Sequence, residues 1–383
     1  MSMTRRQFVA ALGASSLLTL WPGTPAFATG SDARMLVVLL RGGLDGLHAL
    51  SPVGDPAYAR LRGALAPSDV LKLDGSFALH PSLTFMHQLY AEKQLLPVLA
   101  VAPPYRQRSH FDAQDCLENG TAGPGGSTGW LNRCVAALPG SEGLAIATVM
   151  PLILRGGGEA TTWSPPLPHD VNPILLQRLQ PLYAADPALA DAFSRAIETE
   201  GANDMAGQGK GGKRAGAQLP QTMAAAARFM AKAEGPRIGF VEDSGWDTHN
   251  NQAGVLTRKL AELDNALRAY RDGMAARWDR TTVLVVTEFG RTAAVNGTGG
   301  TDHGTGGVAF VLGGGVRGGR IGGDWPGLSA SALNEGRDLR ATTDLRALFK
   351  GVLATQLQLP ESILETRVFP DSKAVKPMDG LFA

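Results

Sequence analysis

The sequence predicts an α/β fold in which helices cover both faces of a largely parallel central sheet. Apolar runs of strand length recur along the chain, helical patterns lie between several of them, and polar clusters follow many of the runs. Runs without alternating polar residues are typical of strands that are buried on both faces. The six runs are residues 35–40, 95–101, 144–150, 237–241, 282–286 and 308–312.

The clearest helical pattern follows Asn250. Its apolar residues alternate spacings of four and three, so they share one face of a helix. The opposite face is charged, and we therefore expect this helix to pack against the sheet. The apolar face consists of Leu256, Leu260, Leu263, Leu267 and Tyr270.

Residues 1–28 resemble a twin-arginine export signal. Arg5 and Arg6 precede a modest apolar run, and Ala26-Phe27-Ala28 has the small residues of a cleavage site. The apolar run is shorter than the roughly 20 residues that span a bilayer. We expect the twin-arginine machinery to export the protein to the periplasm or beyond. We also expect residues 29–383 to form one α/β domain without a stable membrane span.

A Gly- and Lys-rich stretch at about residues 201–218 lacks the apolar side chains that offset the entropy cost of ordering. It predicts a mobile surface insertion. Lys210, Lys213 and Arg214 offer an alternative function as a basic flap over an anionic substrate. A solvated insertion without function is the interpretation that we favour.

The net charge of the chain bears on whether it binds nucleic acid. The chain has 36 basic and 35 acidic residues, and removal of residues 1–28, which include Arg5 and Arg6 and no acidic residue, leaves 34 against 35. This balance does not favour nucleic acid as a partner.

Cys116 and Cys134 lack the paired spacing of a zinc site. A disulfide and two buried free thiols remain open alternatives for them.

Polar segments follow several predicted strands, at residues 41–46, 106–112, 243–249 and 287–304. The carboxyl ends of parallel strands lie at one edge of a sheet, so we expect these segments to meet. Their carboxylate and imidazole groups suit a divalent metal ion such as zinc, calcium or manganese. An ordinary turn is the alternative for Asp45 and for the Asp247–His249 pair. The predicted ligands are Asp45, Asp247, His249, Glu288, Asp302 and His303.

Ser109, His110 and Arg291 are the candidate catalytic residues. Ser109 and Asp112 form the Ser-x-x-Asp pattern that caps a helix, and a serine at a helix start is also a candidate nucleophile near a metal. Arginines hold phosphate or sulfate by bidentate hydrogen bonds, and Arg291 belongs to a set of four near the strand ends. The other three are Arg41, Arg106 and Arg108.

These motifs together resemble a bacterial exported family, domain-of-unknown-function family 1501. Besides the export signal, the matching segments begin at Leu40, Ser109, Gly245, Glu288 and Asp302, and the last matching segment is Val368-Phe369-Pro370. That family is similar, more remotely, to the alkaline phosphatase and sulfatase superfamily.

The superfamily resemblance implies roles for individual residues. Asp45 resembles a first-strand metal ligand, Ser109 the nucleophile, and Asp247 with His249 the later ligands. Glu288-Phe289-Gly290 departs from the Asp-His-Gly motif of the superfamily at two positions. Asp302-His303 is the candidate replacement.

The resemblance also implies an exported metal-dependent hydrolase of a phosphate or sulfate ester. Its substrate would be an anionic small molecule or polysaccharide. The alternative is a catalytically inactive binding or assembly protein of the same fold.

Overall fold

A computed structural model describes residues 32–164, 190 and 218–383, which belong to the unit Asp32–Ala383. The predicted signal at residues 1–28 lies outside these residues. The predicted insertion at residues 201–218 also lies outside the described residues, apart from Gln218. Lys210, Lys213 and Arg214, the residues of the predicted basic flap, are therefore outside them as well. No helix in the described part is long and apolar enough to cross a membrane.

Strands in the described residues form two sheets. They are β1 (Arg34–Arg41), β2 (Leu50–Ser51), β3 (Leu71–Lys72), β4 (Ala78–Leu79), β5 (Leu95–Ala102), β6 (Gly143–Ile146), β7 (Ala160–Trp163), β8 (Ile238–Ser244), β9 (Thr281–Val286), β10 (Gly307–Leu312) and β11 (Thr343–Asp344). The larger sheet has the order β11-β5-β10-β9-β1-β8-β6-β7, and the smaller one the order β2-β4-β3.

Helices connect and cover the strands. They are α1 (Gly46–Ala49), α2 (Tyr58–Arg62), α3 (Thr84–Ala91), α4 (His110–Asn119), α5 (Trp130–Ala137), α6 (Leu219–Met230), α7 (Gln252–Met274), α8 (Leu345–Gln356) and α9 (Glu361–Ile363). Short 3-10 turns occupy Gly63–Leu65, Leu152–Leu154 and Ala275–Arg280, and a π-turn occupies Leu364–Val368.

Strand β1 lies inside the sheet, and burial of both of its faces explains its continuous apolar sequence. Its side chains alternate between two hydrophobic cores, with Leu36 and Val38 in one and Met35 and Val37 in the other. Helices α3, α6 and α7 pack in the first core, and α4, α5 and α8 in the second. The predicted α/β class, with helices on both faces, is confirmed.

The direction of β10 decides where the functional residues lie. It pairs antiparallel with both β9 and β5, whereas the other pairs in the large sheet are parallel. The start of β10 therefore lies at the same edge as the carboxyl ends of β1, β5, β8 and β9. The loop from β9 to β10 both leaves and returns at that edge.

All six predicted strands are present, with different ends. Strand β6 stops at Ile146 rather than at residue 150, whereas β8 continues to Ser244 because it stays paired with β1 up to Arg41. Sequence patterns did not reveal the short strands of the small sheet, nor β7 and β11. A strand of two to four residues is too short to show a hydrophobic period.

Cys116 on α4 and Cys134 on α5 are buried free thiols. Burial raises the pKa of the Cys116 thiol to about 11 and also raises that of Cys134. Of the two alternatives for this pair, the structure shows the free thiols.

Candidate metal centre

Three side chains converge at the edge of the sheet where β10 begins. His110, Asp247 and His303 each place a ligand atom within 4.8 Å of the others. His110 Nε2 lies 3.0 Å from His303 Nε2 and 3.5 Å from Asp247 Oδ2, and His303 Nε2 lies 3.4 Å from Asp247 Oδ1. We call these three residues the central group. They come from the start of α4, the loop after β8 and the loop before β10.

A third imidazole adjoins the central group. His249 Nε2 lies 3.0 Å from His303 Nε2 and 3.0 Å from Asp247 Oδ1. The predicted ligands Asp247, His249 and His303 are thus brought together, and His110 joins them although it was predicted as a catalytic residue. His110 and Gln114 are four residues apart on α4 and both contact Glu288. Residues four apart lie on one face of a helix, so both side chains point to the same carboxylate.

Each of the three imidazoles is held by a hydrogen bond at its other nitrogen. His110 Nδ1 lies 2.7 Å from Glu288 Oε1, His249 Nδ1 lies 3.1 Å from Asp302 Oδ1, and His303 Nδ1 lies 3.1 Å from the Arg108 carbonyl oxygen. Carboxylates and carbonyls accept hydrogen bonds, so these contacts assign the proton to Nδ1 in each ring. The lone pairs of His110 and His303 are then on their Nε2 atoms, which lie 3.0 Å apart, whereas His249 Nε2 also contacts the carboxylate of Asp247.

The facing lone pairs fit a bound cation. The unprotonated Nε2 atoms of His110 and His303, 3.0 Å apart beside the Asp247 carboxylate, repel one another unless a positive ion lies between them. Zinc binds imidazole nitrogen and carboxylate oxygen at about 2.0–2.2 Å, which leaves tetrahedral ligand atoms roughly 3.4 Å apart. The observed separations of 3.0 to 3.5 Å are close to this value. Carboxylate, imidazole and a hydrogen-bond acceptor behind each imidazole are the usual composition of a transition-metal site.

Glu288 lies behind His110 rather than in the central group. It is fully buried and accepts hydrogen bonds from the Gly42 N–H at 2.8 Å and from Gln114 Nε2 at 2.9 Å. Burial alone would raise its pKa, but the hydrogen bonds from His110, Gln114 and the backbone lower the pKa below its ordinary value. Glu288 was predicted as a ligand, and the structure places it against the Nδ1 atom of His110, outside the central group.

Asp302 has the same relation to His249. Its carboxylate accepts from Asn296 Nδ2 at 3.2 Å and from His249, and these bonds lower its pKa. It was predicted as a metal ligand, but its Oδ1 atom contacts the Nδ1 atom of His249. Asp247 contacts the other ring nitrogen of His249, Nε2. Asp302 and Glu288 therefore hold imidazoles, each from a different side of the cluster.

Asp45, also predicted as a ligand, lies outside the central group. It is fully buried, caps α1 through the N–H groups of Leu47 and His48, and forms an ion pair with the buried Arg62. Burial would raise its pKa, but the charges of Arg62 and His48 together with hydrogen bonds from Arg62 and Gln252 lower the pKa. The structure thus gives Asp45 a buried ion pair instead of a place in the central group.

A buried amide links Asp45 to the loops that carry the ligands. Gln252 Nε2 donates to Asp45 Oδ2 at 2.5 Å, and its Oε1 accepts from Thr248 Oγ1 at 3.0 Å and from Thr301 Oγ1 at 2.6 Å. Thr248 lies between Asp247 and His249, and Thr301 precedes Asp302 in the chain. One side chain therefore joins the two ligand loops to the ion pair beneath them. Sequence analysis did not identify Gln252.

Arg291 organises the loops and does not face a substrate. Its side chain is fully buried, and its three nitrogens donate to the carbonyls of Gly42, Gly43, Trp246 and Thr301 and to Asp247. This placement differs from the predicted role as an anion-binding residue, because carbonyl groups and Asp247 surround the guanidinium.

Ser109 and Phe289 flank His110. The Ser109 Oγ atom accepts the Asp112 N–H at 3.5 Å and so caps α4, as predicted. Phe289 is buried, with its ring centroid 4.7 Å from that of His110 and 5.0 Å from that of His303. The aromatic ring at this position in the motif therefore supports two imidazoles by packing.

Three solved structures share a distant likeness with the chain. Ps i-CgsB, solved with k-i-k-neocarrahexaose, is 9% identical at a TM-score of 0.43, with 90% of this chain and 77% of that one covered. The PsFucS1 sulfatase from Pseudoalteromonas sp. is 12% identical at 0.39, with 92% and 72% covered. Alkaline phosphatase from the Antarctic bacterium TAB5 is 10% identical at 0.36, with 76% and 94% covered.

A search of curated proteins gave no match. Residues 87–367 match the family described as a protein of unknown function, DUF1501. This range contains the central group, His249 and the acceptor residues Arg108, Glu288 and Asp302. The chain belongs to the DUF1501 family.

Proposed function

We propose that the protein is an exported hydrolase of a phosphate or sulfate ester and that it depends on one zinc ion. The observation that carries this proposal is the convergence of His110 Nε2, His303 Nε2 and the Asp247 carboxylate, with the Nδ1 atom of each of the two rings held by an acceptor. A structural core has no need to hold two unprotonated nitrogens in contact beside a carboxylate.

The donor set favours zinc among the three metals suggested by the sequence. Calcium prefers six to eight oxygen ligands, which this cluster does not supply. Manganese prefers carboxylate and carbonyl oxygens, whereas imidazole suits zinc. The central group has two nitrogens and one oxygen, a ligand number typical of catalytic zinc sites that keep one position open for substrate.

Some residues would bind the zinc ion, and others would orient the residues that bind it. His110, Asp247 and His303 would hold the ion, which supplies Lewis acidity to polarise an ester oxygen. Glu288 and the Arg108 carbonyl keep the two imidazoles in the tautomer that can bind. Arg291 keeps Asp247 ionised by its charge and its hydrogen bond, although burial acts against it, so the pKa of this carboxyl is lowered.

Ser109 is the proposed nucleophile. It immediately precedes His110, so its hydroxyl is carried into the neighbourhood of the central group by the same helix start. Its bond to the Asp112 N–H is 3.5 Å long, which is the upper limit for a hydrogen bond, so rotation of the hydroxyl toward a substrate costs little. Ser109→Ala should therefore abolish hydrolysis while zinc still binds.

The substrate is proposed to be an anionic small molecule or polysaccharide in the periplasm. The Asp247 side chain is 43% exposed and that of His249 is 42% exposed, so the cluster opens to the outside of the sheet edge. Fractionation of cells that produce the full chain tests export. Replacement of Arg5 and Arg6 by lysine should leave the protein in the cytoplasm.

The experiment that tests the enzyme is a metal and activity assay on the mature chain. We expect one equivalent of zinc and hydrolysis of a sulfate or phosphate ester, with both lost in His110→Ala and His303→Ala. His87→Ala is the matched control, because His87, on α3, contacts the Lys72 carbonyl and takes no part in the cluster. Unchanged zinc content in both cluster variants would refute the metal centre, and zinc without hydrolysis of any ester would refute the enzyme.

A second candidate function follows from the position of His249. If His249 is a ligand as well, four protein groups surround the ion, and closed sites of this kind are usually structural. The protein would then be a binding or assembly protein without catalysis. Cobalt substitution distinguishes the two, because the visible spectrum of cobalt reports the ligand number. His249→Ala should leave that spectrum unchanged in the enzyme and alter it in the closed site.

A further inference from the structure

We propose that an anion-binding subsite adjoins the metal centre, and that a second anionic group of the substrate displaces Glu335 from it. The guanidinium groups of Arg108 and Arg337 form this subsite. Its ligand would be an oxyanion with one negative charge, such as a sulfonate, a sulfate ester or a carboxylate. The subsite itself needs no metal, whereas its use by a substrate rests on the proposed function.

Both arginines hold His303, so the subsite lies beside the central group. The Arg108 carbonyl oxygen accepts from His303 Nδ1 at 3.1 Å, and Arg337 Nη2 donates to the His303 carbonyl at 2.7 Å. Arg108 Nη2 lies 3.4 Å from Asp338 Oδ1, and Arg337 Nη1 lies 3.5 Å from the same oxygen. The two guanidinium groups therefore share one carboxylate oxygen and lie close together.

The charges of the subsite leave a place for one exposed anion. Arg108 and Arg337 bring two positive charges, and the fully buried Asp338 brings one negative charge. Glu335 balances the remaining charge through a contact of 2.6 Å with Arg108, and its side chain is 66% exposed. The hydrogen bond from Arg108 and the charges of both arginines lower the pKa of Glu335. A ligand with one negative charge in place of Glu335 keeps the same balance.

The two arginines are incompletely paired. Among the described residues, the buried Nε–H of Arg108 has no acceptor and Asp338 Oδ1 has no hydrogen-bond donor. The Arg337 side chain is 37% exposed, so an anion from solvent can reach it. Its charge also acts on Asp302, whose carboxylate is already held by hydrogen bonds. Buried polar groups are ordinarily paired, and a guanidinium with unused donors is suited to an oxyanion.

Glu335 lies in a tight turn whose backbone does not depend on the glutamate side chain. Glu335 and Gly336 have φ values of 52° and 65°, and the Arg337 N–H donates to the Asn334 carbonyl at 3.0 Å. Positive φ at both central positions is a feature of type I′ turns. An exposed ion pair contributes little to stability, so an external anion can replace the carboxylate while the turn stays folded.

Titration of the metal-free protein tests the subsite without the ion. The probe is 2,2,2-trifluoroethanesulfonate, which has one charge and no ester bond, and fluorine NMR measures its binding. Glu335→Gln removes the internal competitor and should tighten binding by about two- to fivefold, the effect expected from loss of an exposed ion pair. Glu234→Gln is the matched control and should have no effect, because Glu234 is exposed and precedes β8, at the opposite edge of the sheet.

Variants of Arg337 in the Glu335→Gln protein test the cation. Arg337→Gln removes one positive charge and should return the affinity for the probe to that of the wild type or below. Arg337→Lys keeps the charge and should retain most of the gain. Melting temperatures of both variants show whether the turn and its surroundings remain folded. Equal probe affinities in Arg337→Gln and its parent would remove Arg337 from the subsite.

A titration of the zinc-loaded protein tests whether the subsite serves the substrate. Benzenesulfonate offers one anionic group and benzene-1,3-disulfonate offers two. Glu335→Gln should strengthen binding of the disulfonate more than that of the monosulfonate, because only the disulfonate can occupy the ion and the subsite together. An equal gain for both would refute the assignment of the subsite to a second group of the substrate.

The subsite is overturned if the wild type and Glu335→Gln bind the fluorinated probe equally. Binding that requires zinc would also overturn it, because the anion would then lie at the ion. Ester hydrolysis by a protein without this anion binding would leave the proposed function standing. Anion binding controlled by Glu335 in a protein that hydrolyses no ester would keep the subsite and remove the proposed function.

Discussion

The Gln252 side-chain amide donates a hydrogen bond to Asp45 at 2.5 Å, and both residues are fully buried. Through its oxygen the same amide holds Thr248 and Thr301, which are neighbours of the ligands in two separate loops. Asp45, a carboxylate that resembles a metal ligand in the sequence, thus supports from the core the loops that carry Asp247, His249 and His303.

Gln252→Leu should lower zinc affinity by about tenfold or more, because partners outside the ligand shell typically contribute that much to metal binding. Competition with a chelating dye measures this affinity. Asp264→Asn is the control, since Asp264 is buried and caps α3 at the N–H groups of Phe85 and Met86. If both variants lose stability but only Gln252→Leu loses affinity, Gln252 positions the loops; equal zinc affinities would contradict this role.

Glu288→Gln should weaken zinc binding by about 10- to 100-fold. The amide can turn its NH₂ group toward His110 Nδ1, which stabilises the wrong tautomer and places the proton on Nε2. Zinc titration of both proteins at one pH gives the comparison. Glu92→Gln, which alters a partly exposed pair with Arg271, should have no effect. An unchanged zinc affinity in Glu288→Gln would show that the carboxylate does not orient His110.

Arg291→Lys should destabilise the metal-free protein by about 3 kcal/mol, because one ammonium group cannot replace a buried guanidinium that serves several carbonyls and Asp247. Urea unfolding measures the loss. A substrate-binding arginine would instead raise KM with little change in stability. The latter result would restore the role that the sequence suggested.

His80 should make the protein less stable at mildly acidic pH. Burial, with a smaller contribution from the charge of His48, lowers the pKa of His80 from 6.5 to about 4. The unfolded chain takes up a proton near pH 6.5, whereas the folded chain does not until about pH 4. The stabilisation is therefore complete above pH 6.5 and is lost as the pH falls toward 4, by about 3 kcal/mol over that window.

His80→Asn tests this pH dependence. Asparagine keeps an acceptor for the Ser82 N–H, which His80 Nδ1 now binds at 3.1 Å, but it does not titrate. Unfolding free energies of the metal-free variant should fall less steeply than those of the wild type between pH 6.5 and pH 4. Parallel curves for the two proteins would assign the acid sensitivity to other groups.

Cys116 and Cys134 should resist thiol reagents in the folded protein, because burial raises the pKa of each thiol and keeps it protonated. Both should react once the protein is unfolded in denaturant. A reductant should change neither the mass nor the melting temperature. A mass lower by two hydrogen atoms would instead show a disulfide.

The strand runs and the long helix were predictable because their signals are local. A buried parallel strand such as β1 shows an unbroken apolar run, and α7 shows a stripe at spacings of three and four. The position of the site at a strand edge was also predictable, because polar residues follow strands there. The antiparallel direction of β10 has no local signal, since it depends on pairing with β5 and β9.

The sequence by itself determined the fold class and the types of side chain at the sheet edge, because both are written in local patterns of residues. Only the tertiary structure decided which atoms meet. The carboxylates of Asp247, Glu288 and Asp302 look alike in sequence. In the structure, Glu288 and Asp302 contact the Nδ1 atoms of His110 and His249, whereas Asp247 lies among the Nε2 atoms. Their different roles come from contacts between residues far apart in the chain, and such contacts arise only when the strands pair.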